Sequence, residues 1–312
     1  MDISFTISAI VPLFVVVLAG MGLRALLKPT PQQTSIVNKL VFHLLLPCQL
    51  FKSAMEMDLS AVTNPWPYVY MWVLYGIMTW AIIKTAPRVT EGQPQRAAFA
   101  HSVIRPNVMF LGLPVAKAIY GSAVLPAELM CVATMPIANV LGVMILSSFT
   151  ADGKKPTLLG VLKAIAKNPL IIGLVLGFIC GALKLKLPEI LYKPLNSMAS
   201  SASTIGMLSI GFSLELKGTG ADNRTVLIAT ALRLVALPLI ATAGAAAMGL
   251  RGIMLFAVYI AFAVPTAANN GLICSSMGAD ENLANKVTLL TTLVSAATLI
   301  FGISLLQAVG LI

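Results

Sequence analysis

One stretch decides how this chain folds: Arg105-Pro106-Asn107-Val108-Met109-Phe110-Leu111-Gly112-Leu113-Pro114. It lies within a long apolar segment in which a helix should run unbroken. Proline removes a backbone donor and clashes with the preceding turn, so a helix kinks or ends there. In hydrocarbon, the backbone groups freed by such a break must be buried in protein or face a water-filled cavity. A broken segment that carries an arginine at this depth therefore predicts a binding site.

The composition predicts an all-α integral membrane protein. Of the 312 residues, 58% are hydrophobic and only 10% are charged, whereas a soluble domain carries roughly 25% charged residues. At roughly 20 residues per span, the chain has room for about ten helices and no separate soluble domain. We place the spans at about 5–27, 36–55, 66–86, 97–119, 125–149, 160–183, 191–214, 224–248, 252–276 and 284–310.

The basic residues predict the orientation of these spans and no nucleic-acid partner. The net charge is +10, but Lys and Arg are dispersed at helix ends. Thirteen of the 21 lie in odd-numbered loops, six in even-numbered loops and two, Arg105 and Arg233, within spans. Because cytoplasmic loops collect Lys and Arg, we expect both termini on the non-cytoplasmic side.

The two halves of the chain share a spacing that indicates duplication. Pro12 and Pro169 lie near the starts of spans one and six and are 157 residues apart, and Gly20 and Gly177 keep the same offset. Five spans per copy is an odd number, so the second copy must enter the membrane the opposite way up. The predicted domains are the two halves, 1–150 and 151–312.

Span nine repeats the interruption of span four. Pro265 lies 159 residues after Pro106 and is followed by Asn269 and Asn270. Two interrupted spans at corresponding positions of two halves are typical of a transporter binding site. The N-terminal ends of half-helices carry partial positive charge and unpaired N–H groups. Their meeting point, with Arg105 nearby, should suit an anion.

A set of short motifs follows in order along the chain: Asn38-Lys39-Leu40-Val41-Phe42 with Leu46-Pro47, Arg105-Pro106-Asn107 with Phe110-Leu111-Gly112-Leu113-Pro114, Asn168-Pro169-Leu170, Leu208-Ser209-Ile210-Gly211, and Val264-Pro265-Thr266-Ala267 with Asn269. With these motifs the chain resembles the auxin efflux carrier family, which includes plant PIN proteins and bacterial malonate- and malate-type carriers. The resemblance spans nearly the whole chain.

The resemblance implies ten spans in two inverted five-helix repeats, with broken helices 4 and 9 crossing near the midplane. That fold is shared with sodium/proton antiporters and bile acid symporters. It divides into scaffold helices 1, 2, 6 and 7 and transport helices 3–5 and 8–10, which move as an elevator, and members often dimerise through the scaffold. The long loop of many plant members is absent, since 151–159 is a short link. In terms of the family, this favours a prokaryotic or short-loop carrier, and the resemblance to the bacterial members implies the cell (inner) membrane.

We expect the breaks and the spans beside them to supply the substrate-binding residues, namely Arg105, Pro106, Asn107, Pro265, Asn269, Asn270, Asn139 and Arg233. Each arginine has an alternative role that the sequence leaves open. Arg105 would snorkel or hydrogen-bond loose carbonyls beside the break, and Arg233 would pair with a helix C-terminus or an acid. His101 and His43 are candidates for carrying protons, with packing as the alternative. No metal site and no cofactor are expected.

The acidic residues narrow the predicted function. All eleven fall in loops or near span ends, and none is expected beside either break. The sequence therefore predicts a secondary transporter of small organic anions, namely a mono- or dicarboxylate such as malonate or malate, or an auxin-like weak acid. The alternatives are a sodium-coupled organic anion symporter of the bile acid type and an anion channel. An enzyme is not expected, because the spans lack an HExxH motif, a nucleophile elbow, a P-loop and paired carboxylates.

Overall fold

A computed structural model describes residues 3–56, 65–149, 166–167, 169–185, 187–214 and 222–312. Regular structure within these ranges is helical. In chain order the α-helices are α1 (Ile3–Leu27), α2 (Pro31–Leu40), α3 (Leu46–Met55), α4 (Trp66–Val89), α5 (Gln93–Ile104), α6 (Leu113–Tyr120), α7 (Leu125–Phe149), α8 (Pro169–Ala182), α9 (Glu189–Ser213), α10 (Asn223–Ala231), α11 (Leu237–Ala247), α12 (Gly252–Ala263), α13 (Asn270–Ser276) and α14 (Glu281–Ala308). Shorter helical turns complete these elements: the π-helical segments Val41–Leu45, Val108–Gly112 and Leu232–Ala236, and the 3-10 turn Gly121–Val124.

Length and composition identify the membrane-crossing candidates within the described ranges. Six helical segments qualify, namely Ile3–Leu27, Gln32–Met55, Trp66–Val89, Leu125–Phe149, Asn223–Ala247 and Glu281–Ala308. Three shorter helices are also apolar, namely Val108–Tyr120, Pro169–Ala182 and Gly252–Ala263. The prediction of an all-helical membrane protein is confirmed, while the prediction of ten spans goes beyond these six. The predicted start of span six, 160–165, and the link 151–159 lie outside the described residues.

The second span begins earlier than its hydropathy predicts. The hydropathy predicts a start near residue 36, but α2 begins at Pro31. The hydroxyl of Thr30 accepts a hydrogen bond from the backbone N–H of Gln33, and the side chain of Gln33 accepts one from the backbone N–H of Thr30. This capping box fixes a helix start in a polar sequence. Hydropathy marks the apolar length, whereas the cap marks where the backbone becomes helical.

Each π-helical segment is followed directly by a Leu-Pro pair. The pairs are Leu46-Pro47, Leu113-Pro114 and Leu237-Pro238, which begin α3, α6 and α11. Proline cannot donate to the helical ladder, and its ring crowds the carbonyl four residues earlier. A wider turn before the proline relieves both problems and lets the helix continue. These prolines therefore modify helices, whereas Pro106 and Pro265 lie where helices stop.

Glycines bring α1 and α9 into backbone contact. A Cβ added to Gly20 would collide with the carbonyl oxygen of Leu208, and one added to Gly211 would collide with that of Val17. Any larger residue at either position would force the helices apart. Close packing through small residues is the usual way for helices to associate in lipid.

The pair formed by α3 and α8 is built in the same way. A Cβ added to Gly173 would stand 2.7 Å from the carbonyl oxygen of Pro47, and one added to Gly177 would collide with that of Phe51. Helix α9 also packs on α3. The helices α1, α3, α8 and α9 therefore form one closely packed group beside the broken helices.

Candidate functional site

Both predicted breaks are present, and they meet. Helix α5 ends at Ile104 and helical structure resumes at Val108, while α12 ends at Ala263 and α13 begins at Asn270. Between these ends the two breaks pair antiparallel through a single bridge between Pro106 and Thr266, and residues 268–269 form a turn that leads into α13. The residues on either side of the bridge supply the backbone hydrogen bonds that join the two breaks.

The hydrogen bonds between the two breaks are donated by residues next to the prolines, because proline has no N–H to donate. The N–H of Asn107 donates to the carbonyl of Pro265 over 2.8 Å, and the N–H of Ala267 donates to the carbonyl of Arg105 over 3.2 Å. Freed backbone groups at a helix break thus find their partners in the opposite break, as burial requires. The crossing point is therefore held by the main chain, and the side chains of the breaks are left for other contacts.

Arg233 binds the ends of both broken helices. It is fully buried, its Nε donates to the carbonyl of Val264 over 2.8 Å, and its Nη1 lies 3.3 Å from the carbonyl of Val103. Carbonyls at a helix C-terminus lack helical donors and carry partial negative charge. The guanidinium supplies both missing donors and a compensating positive charge. Of the roles that the sequence leaves open for Arg233, the structure thus shows pairing with helix C-termini.

Asn270 is enclosed in a network of hydrogen bonds. It is fully buried, and its Nδ2 donates to the hydroxyl of Ser102 over 2.8 Å, to the carbonyl of Ala284 over 3.2 Å and to the hydroxyl of Thr288 over 3.3 Å. Its Oδ1 lies 2.6 Å from Nδ1 of His101. Every polar atom of the amide is thereby used. Asn270 ties α5, α13 and α14 together beside the crossing point.

A cavity of about 410 Å³ opens on one side of the crossing. It lies between the first break, the second break and the helices α2, α7, α9 and α14. Its walls combine charged, amide, hydroxyl and apolar side chains, namely Thr34, Ser35, Asn38, Lys39, Phe42, His43, Arg105, Pro106, Asn107, Met109, Phe110, Met135, Ala138, Asn139, Ser213, Ala267, Ala268, Asn269, Glu281 and Asn285.

The cavity collects five of the eight predicted site residues. These five are Arg105, Pro106, Asn107, Asn139 and Asn269. Asn107 and Asn139 belong to different elements, since one follows the first break and the other lies on α7.

The structure places the other three predicted residues behind the cavity wall. Pro265 contributes its carbonyl to the crossing, Arg233 binds helix ends, and Asn270 is enclosed in its own network. Each of them supports the shape of the crossing rather than lining the space beside it. Adjacent residues Asn269 and Asn270 therefore have different surroundings.

Arg105 lines the cavity, and its guanidinium has no counter-ion among the described residues. Within the described ranges it has neither a hydrogen-bond acceptor nor a carboxylate partner, although the residue is half-buried. Close by, Asn107 is 3% exposed, and its Nδ2 has no acceptor among the described residues. Buried donors are normally hydrogen-bonded. Two unsatisfied donors on one wall of a cavity indicate a site for a ligand with acceptor oxygens.

One acid contradicts the expectation that none lies beside a break. Glu281 lines the cavity together with Lys39 and Asn285. Residues 277–280 alone separate α13 from α14, so the start of α14 must return to the second break. The shortness of this connection was the available signal in the sequence. With Arg105 and Lys39 against Glu281, the formal charges on the cavity wall still sum to a positive value.

A second acid is buried away from the cavity. Glu128 lies in the first turn of α7 and is fully buried. Its Oε1 accepts a hydrogen bond from Nε2 of Gln49 on α3 over 3.2 Å. The sequence placed this acid near a span end, and only the packing of α7 against α3 buries it.

Comparison with known proteins identifies the class. The chain matches the family described as "Membrane transport protein" over residues 5–152 and 155–303, and it belongs to this family. The resemblance to auxin efflux carriers is thereby confirmed at the level of the family. The curated relatives include the uncharacterized transporter YfdV of Escherichia coli K12, which is 25% identical over 218 residues, or 68% of this chain and 69% of the relative. The protein of the same name from Shigella flexneri matches to the same extent.

Proposed function

We propose that this protein is a secondary carrier of small organic anions, and that the anion binds at Arg105 in the cavity beside the crossing. The substrates proposed are mono- or dicarboxylates such as malonate or malate, or an auxin-like weak acid. The observation that carries the proposal is the guanidinium of Arg105, which faces the cavity with no counter-ion among the described residues. An arginine at membrane depth normally has a partner, and here a substrate would supply it.

The cavity has the size and chemistry for such an anion. Its volume of about 410 Å³ is within the usual range for small-molecule sites, roughly 300–1,000 Å³. A carboxylate accepts several hydrogen bonds, and those from a guanidinium are strong because both partners are charged. Asn107 and Asn139 would add amide donors, while Phe42 and Phe110 offer apolar surface to the carbon skeleton.

The proposed architecture is ten spans in two inverted five-helix repeats. The family match in two consecutive halves supports it, as does the antiparallel pairing of Pro106 with Thr266. The contacts α1–α9 and α3–α8 add support, because exchanging the first repeat with the second would convert one pair into the other. We further propose a bacterial inner-membrane protein with both termini on the non-cytoplasmic side, dimeric through the scaffold.

The proposed mechanism is an elevator. The group α1, α3, α8 and α9 would be the scaffold, because its members contact each other through glycines at backbone distance. Both breaks belong to the remaining helices, and the crossing joins them by main-chain hydrogen bonds. The crossing and its anion would therefore move together past the scaffold and expose the cavity alternately to the two sides.

Arg233 favours a carrier without sodium at the crossing over a sodium-coupled symporter. Its guanidinium already binds carbonyls at the ends of α5 and α12. Such carbonyls are the groups that coordinate a coupling cation in broken-helix transporters. Uptake of malonate into proteoliposomes should therefore proceed equally with sodium or choline as the external cation. Unitary currents in planar bilayers would instead identify an anion channel.

The central experiment is a binding titration on protein purified in detergent. Malonate, malate and indole-3-acetate would be added to the wild type, Arg105→Ala, Arg105→Lys and the control Arg224→Ala, which removes an exposed arginine from the start of α10. Loss of a charged hydrogen-bond partner should weaken binding roughly 10- to 100-fold in Arg105→Ala, less in Arg105→Lys and not in the control. Equal affinities in Arg105→Ala and the wild type would refute the assignment.

A further inference from the structure

We propose that His101 binds a proton when the anion binds at Arg105, so that the carrier takes up both together. This inference rests on the proposed function, because it requires an anion at Arg105. It adds the coupling ion, which that proposal leaves open. Two observations carry it: Nε2 of the buried His101 ring has no hydrogen-bond partner among the described residues, and this nitrogen lies close to the arginine.

The hydrogen bonds around His101 fix which nitrogen is free. Nδ2 of Asn270 donates to the carbonyl of Ala284, which can only accept, so Oδ1 is the atom that faces the ring. Nδ1 of His101 must then carry the hydrogen that it donates to Oδ1 over 2.6 Å. In the neutral ring, Nε2 is consequently an acceptor. It is buried and has no partner among the described residues.

That free nitrogen lies next to the anion site. A Cβ placed on Gly142 would stand 3.1 Å from Nε2 of His101 and 3.7 Å from Nη1 of Arg105. Both atoms thus face the same small space on α7, and glycine is the residue that leaves this space open. A proton on Nε2 and the charge of Arg105 would be only a few ångströms apart.

The charged surroundings of His101 make protonation depend on the anion. On its own helix the ring faces Arg105, and α13 presents the thiol of Cys274, whose Sγ lies 3.6 Å from Nδ1. Asp280 and Glu281 lie further off at the start of α14, where Ala284 and Thr288 are the uncharged residues nearest the network. Helix α7 presents Gly142 to Nε2, and Arg233, from the segment before α11, donates to the carbonyl of Val103 further along α5. Arg105 is therefore the main charge acting on the ring.

The positive charge of Arg105 couples protonation of His101 to binding of the anion. An unpaired guanidinium disfavours a second positive charge nearby, whereas an opposite charge favours it. A bound carboxylate neutralises Arg105 and so removes the share of the penalty on protonating Nε2 that comes from this charge, while the burial of the ring still opposes a charge on it. By reciprocity, a proton on His101 must strengthen anion binding by the same factor. One proton from the solvent forms one N–H bond on the ring, and no other bond changes.

The test is calorimetric titration with malonate at several pH values between 6 and 8, in buffers that differ in ionisation enthalpy. The heats give the number of protons taken up per malonate bound. His101→Asn places an amide donor near the position of Nδ1, but this amide does not bind a proton in the pH range used. If His101→Asn does not fold, His101→Gln is the second variant. His43→Asn tests the other of the 2 histidines; because His43 also lines the cavity, only its proton uptake per malonate bound is compared with the wild type, and its affinity is free to differ.

We expect the wild type and His43→Asn to take up protons beyond those explained by the ionisation of malonate itself. Their affinity should rise as the pH falls, at most roughly tenfold per pH unit for one linked proton. Malonate ionises identically in every sample, so the lower proton uptake of His101→Asn isolates the contribution of the protein.

Three results would overturn the coupling. The wild type could take up no proton beyond malonate's own, His101→Asn could match the wild type, or His43→Asn could be the variant that loses the uptake. Binding of malonate with none of the expected proton uptake refutes only this inference. Absence of malonate binding at every pH refutes the proposed function and this inference together.

Discussion

The two breaks that cross in this protein arise from similar sequences but have different surroundings. After the first break, Asn107 lines the cavity and its Nδ2 has no acceptor among the described residues. After the second break, Asn270 is enclosed, and its side chain is hydrogen-bonded to five residues. The difference teaches that a duplicated motif need not duplicate a role. One break offers donors to a ligand, and the other holds the crossing together.

The largest effect should come from removing the cation that binds both helix ends. Arg233→Met leaves the carbonyls of Val264 and Val103 without their donor. The loss should destabilise the fold by about 2–6 kcal/mol, because each of the two buried carbonyls left without a donor costs about 1–3 kcal/mol. The midpoint of thermal unfolding in detergent measures it, with the exposed Arg224→Ala at the start of the same span as the control. An unchanged midpoint would contradict the role of Arg233 at the helix ends.

The next effect should come from the enclosed amide. Asn270→Ala leaves buried donors and acceptors on His101, Ser102 and Thr288 without this partner, and should lower the free energy of unfolding by about 2–4 kcal/mol. Asn269→Ala, one residue away and exposed, should change it little. If both substitutions had the same effect, the two neighbouring amides would not differ as the structure indicates.

The matching change in the first break should affect binding instead of stability. Asn107→Ala removes a donor that has no partner within the described ranges, so the unfolding midpoint should move little. Malonate affinity should fall roughly 5- to 15-fold, the equivalent of one hydrogen bond of about 1–1.5 kcal/mol. Parallel unfolding and binding measurements on Asn107→Ala and Asn270→Ala would sharpen the comparison. A destabilised Asn107→Ala with normal affinity would reverse it.

The smallest effect should come from filling the space beside the first break. Gly142→Ala places a methyl group 3.1 Å from Nε2 of His101 and 3.7 Å from Nη1 of Arg105. The first distance is tight and the second is ordinary contact, so we expect a few-fold loss of malonate affinity. Gly22→Ala is the control, since a Cβ there meets nothing within 4 Å. Full affinity in Gly142→Ala would mean that the anion does not depend on this space.

The breaks themselves could be predicted from the sequence because their cause is local. Pro106 and Pro265 stop helices through the loss of a donor and the clash of a ring, which depend only on neighbouring residues. The position of Arg105 between an apolar helix and a proline likewise predicted a cation at membrane depth. The π-helical segments also had a local signal, namely the Leu-Pro pairs that follow them. Such a pair predicts that the helix is distorted, but it does not predict that the distortion is a π-helical turn.

The surroundings of the side chains could not be predicted in this way. Arg233 and Asn270 were expected in the site, yet they bind carbonyls and hydroxyls from helices that lie far away in the chain. Glu281 was expected away from the breaks, and the return of α14 brings it to the cavity. Each of these outcomes depends on which helices pack together, and no local pattern encodes that packing.

The sequence by itself determined that this chain is a helical membrane protein with two interrupted helices and an arginine at one of them. Hydropathy and proline act on each segment separately, so these features are readable residue by residue. Only the tertiary structure decided which donors remain free. Asn269 and Asn270 have the same chemistry, and their roles differ because a buried amide must satisfy its hydrogen bonds with whatever the neighbouring helices present.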